Sequence, residues 1–304
     1  MWLVLAFMSA ALLGCYDSLK KQALKDNAVI PVLFLNTLFS SLIFLPFIVL
    51  SGTTDVLDNT VFHTASGGWE MHRYILLKAL IVLSSWILGY FGMKHLPLTI
   101  VGPINATRPV MVLVGALLFF GERLNLWQWA GVLLAVLSFL LLSRSGRKEG
   151  IDFKHDHWIY MIVGAALLGA LSGLYDKYLM APVTEGGVGL DRMLVQSWYN
   201  IYQCFMMLVM LLLLWWPHRS KSTPFRWDWA ILGISLFLST ADFMYFYSLS
   251  LPSSMISIVS MIRRGSVVVS FVCGALFFHE KNLRAKALDL ALVLLGMLCL
   301  YIGS

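Results

Sequence analysis

The chain has 304 residues, 59% of them hydrophobic and 12% charged, with a net charge of +6 and a mean hydropathy of +0.80. A soluble domain is ~45–50% apolar and ~25% charged, so no single water-facing core hides this much apolar surface. A disordered chain and an extended nucleic-acid binder are excluded for the same reason. The solvent for most of the chain is lipid.

Apolar runs long enough to span a bilayer recur ten times, near residues 2–22, 29–50, 74–95, 98–120, 124–143, 158–180, 192–216, 228–250, 254–279 and 283–302. They are continuous and Leu-rich, unlike the alternating ten-residue segments of a membrane β-barrel. The first run contains Leu12-Leu13-Gly14-Cys15, which looks like a lipoprotein cleavage box. No Lys or Arg precedes it, so it reads as the first spanning helix. Breakers separate the runs at Ser51-Gly52, Leu96-Pro97, Gly121-Glu122, Pro217-His218 and Leu251-Pro252. Residues 51–73 read as a polar loop, and 144–157 as a charged linker at the midpoint.

The organisation expected is residues 1–143 as one five-helix unit, 144–157 as linker and 158–304 as a second unit. Gly14-Cys15-Tyr16-Asp17 matches Gly173-Leu174-Tyr175-Asp176, and Tyr90-Phe91 with Leu96-Pro97 matches Tyr245-Phe246 with Leu251-Pro252. On the latter spacing Arg108 falls on Arg263. Five helices per unit make the two units enter the membrane from opposite sides, as in inverted-repeat transporters. The loops after helices 1, 3, 5, 7 and 9 hold twelve Lys and Arg against three on the other side. That bias places the midpoint linker in the cytoplasm and both termini outside. The membrane expected is a bacterial plasma membrane.

Charges inside spanning helices cost ~2.5–3.5 kcal/mol each on insertion scales. This chain carries Asp17, Lys20, Lys21, Lys78, Arg108, Asp176, Lys177, Asp242, Arg263 and Arg264 in such positions. A shared polar cavity explains so many at once. Guanidinium grips carboxylate or phosphate with paired hydrogen bonds, so Arg108, Arg263 and Arg264 read as substrate-binding groups for an anion. Pro103 and Pro109 bracket Arg108 and Gly265 follows Arg264, which suits backbone lining a cavity. The competing reading pairs these arginines with Asp17, Asp176 and Asp242 as structural ion pairs. The same three carboxylates are also the candidates for coupling or gating, Asp242 lying deepest in its helix. For Asp17 and Asp176 the alternative is an interfacial pair with Lys20 or Lys21, and with Lys177. Gln196, Asn200 and Gln203 sit at i, i+4 and i+7 on one helix face. With Tyr90 and Tyr245 they read as binding the body of the substrate, against an aromatic role in packing and interface belts.

Cys15, Cys204, Cys273 and Cys299 lie in apolar runs without C-x-x-C spacing and read as buried hydrophobes. His155-Asp156-His157 is a poor metal site, and no metal or cofactor is expected. No Walker loop, H-E-x-x-H or G-x-S-x-G sequence occurs, so neither an ATPase domain nor an enzyme is expected. The partners expected are a small anionic solute and the bilayer, without nucleic acid, for a monomer or homodimer.

The ten runs, the duplication and the endings Leu118-Phe119-Phe120-Gly121-Glu122-Arg123 and Leu276-Phe277-Phe278-His279-Glu280-Lys281 resemble the EamA-like type of the drug/metabolite transporter superfamily over the whole chain. Arg263-Arg264 is similar to the Lys-Arg pair that contacts phosphate in the sugar-phosphate and nucleotide-sugar branch, with Arg in place of Lys at the first position. Arg108-Pro109 stands where a Ser-Pro pair is usual, which adds a charge. The resemblance implies an all-α membrane fold and a secondary transporter with alternating access. For this chain the solute is a small organic anion, with phosphorylated metabolites among the candidates. The alternatives are a proton-coupled exporter of amino acids or amphipathic drugs, a flippase of a phosphorylated lipid, and, further off, a membrane enzyme or structural subunit.

Overall fold

The computed structural model describes residues 2–108, 110–111, 125–147, 153–180, 182–220, 222–251, 259, 262–278 and 283–303. Within them lie ten α-helices and no strand: α1 (Trp2–Ala23), α2 (Val29–Thr53), α3 (Trp69–His95), α4 (Leu98–Ala106), α5 (Leu126–Arg147), α6 (His157–Met180), α7 (Arg192–Met210), α8 (Ala230–Ser250), α9 (Ser266–Phe277) and α10 (Leu283–Ile302). Among the described residues six stretches are long and apolar enough to cross a bilayer: α1, α2, α3, α6, α7 with its extension to His218, and α8 up to Ser248. The protein is a multi-pass, all-helical membrane protein.

Ten full spans were expected, and the described parts of α4 and α9 are short, with 9 and 12 residues. Pro109, the segment 112–124 with the Phe119–Arg123 ending, Pro252, the first part of the 254–279 run, and His279-Glu280-Lys281 lie outside the described residues, as does 148–152 of the linker. Two helices extend beyond the hydropathy reading by four residues or more. α3 begins at Trp69 rather than 74, because a run with Glu70 in its first turn and Lys94 and His95 in its last suits the helix dipole. α5 continues to Arg147, four residues into the expected linker.

Local chemistry explains the ends. Asp191 caps α7 by accepting from the Leu194 backbone N–H at 2.8 Å. Lys21 donates to the carbonyls of Met93 and Leu96 at 2.7 and 2.6 Å, meeting orphan acceptors at the end of α3. Beyond Met210, α7 loosens into a π-turn at Leu211–Trp215 and a 3-10 turn at Trp216–His218.

The helices pack as α1 on α8, α3 on α6, α2 on α7, α4 on α9 and α5 on α10. Counting α6–α10 as partners of α1–α5 in order, exchange of the halves maps this set onto itself. The core between them holds Leu24, Leu33, Ile100, Ile104 and Ile159. Outward faces carry Phe7, Leu133, Phe205 and Leu213, each more than three-fifths exposed, as expected of a lipid-facing surface.

Candidate functional site

A cavity of about 180 Å³ lies at the centre of the bundle, lined from α1, α3, α4, α6, α7, α8 and the chain around Arg108 and Arg263 to Val267. Its wall holds five cationic side chains, Lys20, Lys78, Arg108, Arg263 and Arg264, and three carboxylates, Asp17, Asp176 and Asp242.

Each carboxylate has one cationic partner. Lys20 donates to Asp17 at 3.0 Å, Lys78 pairs with Asp176, and Arg263 pairs with Asp242. Tyr199 also donates to Asp242, at 2.9 Å, and Ser270 to Asp17, at 3.1 Å. Arg108 and Arg264 are left without a carboxylate among the described residues. Arg108 donates from Nη2 to the Asn105 side chain at 3.0 Å, while its buried Nε has no acceptor. Buried Nε of Arg263 is also unmet. Arg108 lies within electrostatic reach of Asp17 and then of Arg263, and Arg264 within reach of Arg108, Arg263 and, more weakly, Asp17.

The backbone breaks at both arginine stations. Thr107, just before Arg108, bonds back to Ile104 in a 3-10 pattern at 3.2 Å, and Gly265, just after Arg264, bonds to Ile262 at 2.9 Å. Such tightened turns turn side chains off the regular helix face. Arg108 also needs Gly169 of α6: a Cβ there would stand 2.7 Å from the guanidinium carbon. Lacking a side chain, Gly169 lets the charged plane lie against the helix backbone.

Aromatic rings back the cations. Arg263 sits 4.1 Å from the Tyr245 ring centre, Lys78 5.0 Å from that of Tyr199, and Lys20 4.4 and 5.2 Å from those of Tyr16 and Tyr90. Ring faces are negative, so they stabilise these charges where water is scarce.

The cavity thus brings together Asp17, Tyr90, Arg108, Asp176, Asp242, Tyr245, Arg263 and Arg264 from the residues singled out in the sequence. Gln196, Asn200 and Gln203 do not line it. They are 1%, 3% and 0% exposed in the seam between α2, α7 and α8. Asp176 takes Lys78 from α3, three helices away in sequence, and the Lys177 side chain lies outside the described ones. Lys20 and Lys78 were counted among the charges of a shared cavity but given no role in the site, and Tyr16, Tyr199, Asn105 and Gly169 were not assigned to it from sequence. Lone lysines in apolar runs were a signal, but snorkelling to headgroups explains such lysines equally well. Asp289 of α10, 2% exposed, was missed altogether and sits outside this cavity. No cluster of metal-ligating side chains occurs among the described residues.

A family model described as the EamA-like transporter family matches residues 1–144. That stretch is just under half of the chain. An uncharacterized transporter in the cobO 3′ region of a Sinorhizobium species is 33% identical over 87 residues, 26% of this chain. The chain spans 62% of the length of that curated relative. A solved structure, described only as the crystal structure of a protein, aligns with a TM-score of 0.64 over 98% of this chain and 96% of its own, at 13% identity. That likeness is one of fold. The matched residues supply Asp17, Lys20, Lys78 and Arg108 to the cavity, and Asp176, Asp242, Arg263 and Arg264 come from beyond them.

Proposed function

We propose that the protein is a secondary transporter that moves a compact organic anion by alternating access. The observation that carries this reading is the charge balance of the cavity. Five cations face three carboxylates, each carboxylate is engaged by one cation, and Arg108 and Arg264 remain. Two unpaired guanidinium groups inside a membrane protein are costly unless an anion meets them. With both near one point, a doubly charged head group is the best match: a phosphate monoester or a short dicarboxylate. The volume of about 180 Å³ is below the ~300–1,000 Å³ of drug-sized pockets, which favours a small body over a nucleotide sugar.

The match of residues 1–144 to a transporter family supports transport over catalysis. Self-consistent helix pairing supports two units related by inversion, with the site where they meet. The breaks at Thr107 and Gly265 sit where such transporters interrupt their helices. Lys/Arg bias supports a cytoplasmic midpoint linker. The carboxylates Asp17, Asp176 and Asp242 have the coupling role: an incoming anion competes with Asp242 for Arg263, and the freed carboxylate takes up a proton.

One observation favours a second reading. Asp17 is the most exposed of the three carboxylates, its side chain 20% open against 11% for the others. An ammonium group could meet it, and a zwitterionic amino acid would then span Asp17 and Arg108. Purified protein in proteoliposomes decides between them. Uptake of labelled glycerol phosphate or succinate that is lost in Arg108→Gln and Arg264→Gln supports the anion. Uptake of amino acids alone, lost in Asp17→Asn, supports the zwitterion.

A further inference from the structure

The polar stripe on α7 leaves an unusual number of buried atoms unmet. Along one face of this helix, Arg192 Nη1, Gln196 Oε1 and both amide atoms of Gln203 have no partner among the described residues, and neither does Ser197 Oγ beside them. Asn36 Oδ1 of α2 and Ser239 Oγ of α8 join the list. Apart from half-buried Arg192, every one of these residues is at most 5% exposed. Arg192, Gln196 and Gln203 are spaced i, i+4 and i+11, so they fall on one stripe. It runs about 16 Å at the rise of an α-helix.

The stripe has two connected ends. At its outer end Arg192 donates to the Val61 carbonyl at 3.0 Å, in the loop between α2 and α3. α2 and α7 run antiparallel, since that contact joins the end of one to the start of the other and Ser41 donates to the Asn200 carbonyl at 2.8 Å. This register sets Asn36 near the level of Gln203. Asn36 then donates to Tyr90 at 3.1 Å, Tyr16 to Tyr90 at 3.5 Å, and Lys20 to both Tyr16, at 3.4 Å, and Asp17. Buried polar atoms are satisfied almost without exception, by protein or by ordered water. Neutral amide and hydroxyl groups, offering donors and acceptors in alternation, suit water rather than an ion or an anion. A buried water needs two to four such partners.

We propose that this face of α7, with Asn36 and Ser239, binds a file of water molecules leading from the α2–α3 loop to the outer side of Tyr90, in the wall of the cavity. The file would connect to Asp17 through Tyr90, Tyr16 and Lys20. It stands whether or not the protein transports an anion.

Radiolytic hydroxyl labelling of the full chain in nanodiscs tests it. Met207, on α7 one turn beyond Gln203, is 0% exposed, and Met297 of α10, at 4%, is the dry control. Water held beside Met207 should label it at least about tenfold faster than Met297. Gln203→Leu and Asn36→Leu should each bring the Met207 rate down and leave Met297 unchanged. Equal rates in the wild type, or a Met207 rate that ignores both substitutions, would overturn the proposal. Thermal melting gives an independent readout. In a dry seam Gln203→Leu removes two unmet amide atoms and raises Tm, and that rise also overturns the proposal. In a hydrated seam Tm stays or falls. Should either leucine variant fail to fold, Ser197→Ala and Ser239→Ala make the same comparison with smaller changes.

Discussion

Adjacent arginines at 263 and 264 should respond oppositely to the same substitution. Arg263 neutralises Asp242, which is also held by Tyr199. Arg263→Gln leaves that carboxylate buried and short of a cation, a change that costs ~3–5 kcal/mol. Arg264 has no carboxylate partner among the described residues, and the charged neighbours that bear on it most are Arg108 and Arg263. Arg264→Gln relieves an unpaired buried charge and should stabilise the ligand-free protein by about 1–3 kcal/mol, the desolvation cost of such a group. The two variants therefore separate by at least about 4 kcal/mol. Unfolding in mild detergent, followed by the fluorescence of the eleven tryptophans, measures this directly. Adding glycerol phosphate reverses the ranking of benefit. Wild type gains ~2.7 kcal/mol at a hundred times Kd. Arg264→Gln loses a charge-assisted contact worth ~1.5–3 kcal/mol, or roughly 10- to 150-fold in Kd. If Arg264→Gln destabilises the ligand-free protein as much as Arg263→Gln does, Arg264 has an internal partner and the charge-balance argument fails.

Other substitutions probe the same wall. Lys78→Met should cost about 3–5 kcal/mol by stranding Asp176, and adding Asp176→Leu should recover most of it; a double-mutant cycle in the unfolding assay checks the recovery. Gly169→Ala pushes the flexible end of Arg108 aside, so calorimetry should show weakened anion binding while the melting temperature changes little. Tyr199→Phe removes a hydrogen bond to a charged acceptor and should cost about 1.5–3 kcal/mol; no loss on denaturation would mean that the hydroxyl is not engaged with Asp242. Asp191→Ala uncaps α7 and should cost ~0.5–2 kcal/mol, read as faster amide exchange at Met193 and Leu194.

Composition and periodicity alone determined the solvent and the class of fold, because twenty-residue apolar runs have few other uses. They also located the intramembrane charges, since a lone Asp or Arg in such a run stands out at ~2.5–3.5 kcal/mol. The match of Tyr16-Asp17 to Tyr175-Asp176, and of Tyr90-Phe91 to Tyr245-Phe246, is the sequence's argument for a duplicated chain, which remains a proposal. Which charge meets which was decided only in three dimensions. Asp176 had Lys177 beside it in sequence, yet α3 laid against α6 delivers Lys78 from 98 positions away. Gln196, Asn200 and Gln203 share a face by helical spacing, but spacing is silent on what that face meets, and the tertiary structure turned it to α2 and α8. Gly169 carried no signal at all, because its role is the absence of a side chain where the Arg108 guanidinium lies. Local sequence fixes periods and propensities; pairing across the bundle depends on how helices dock, and that is where the two arginines without a carboxylate among the described residues were set apart from the third.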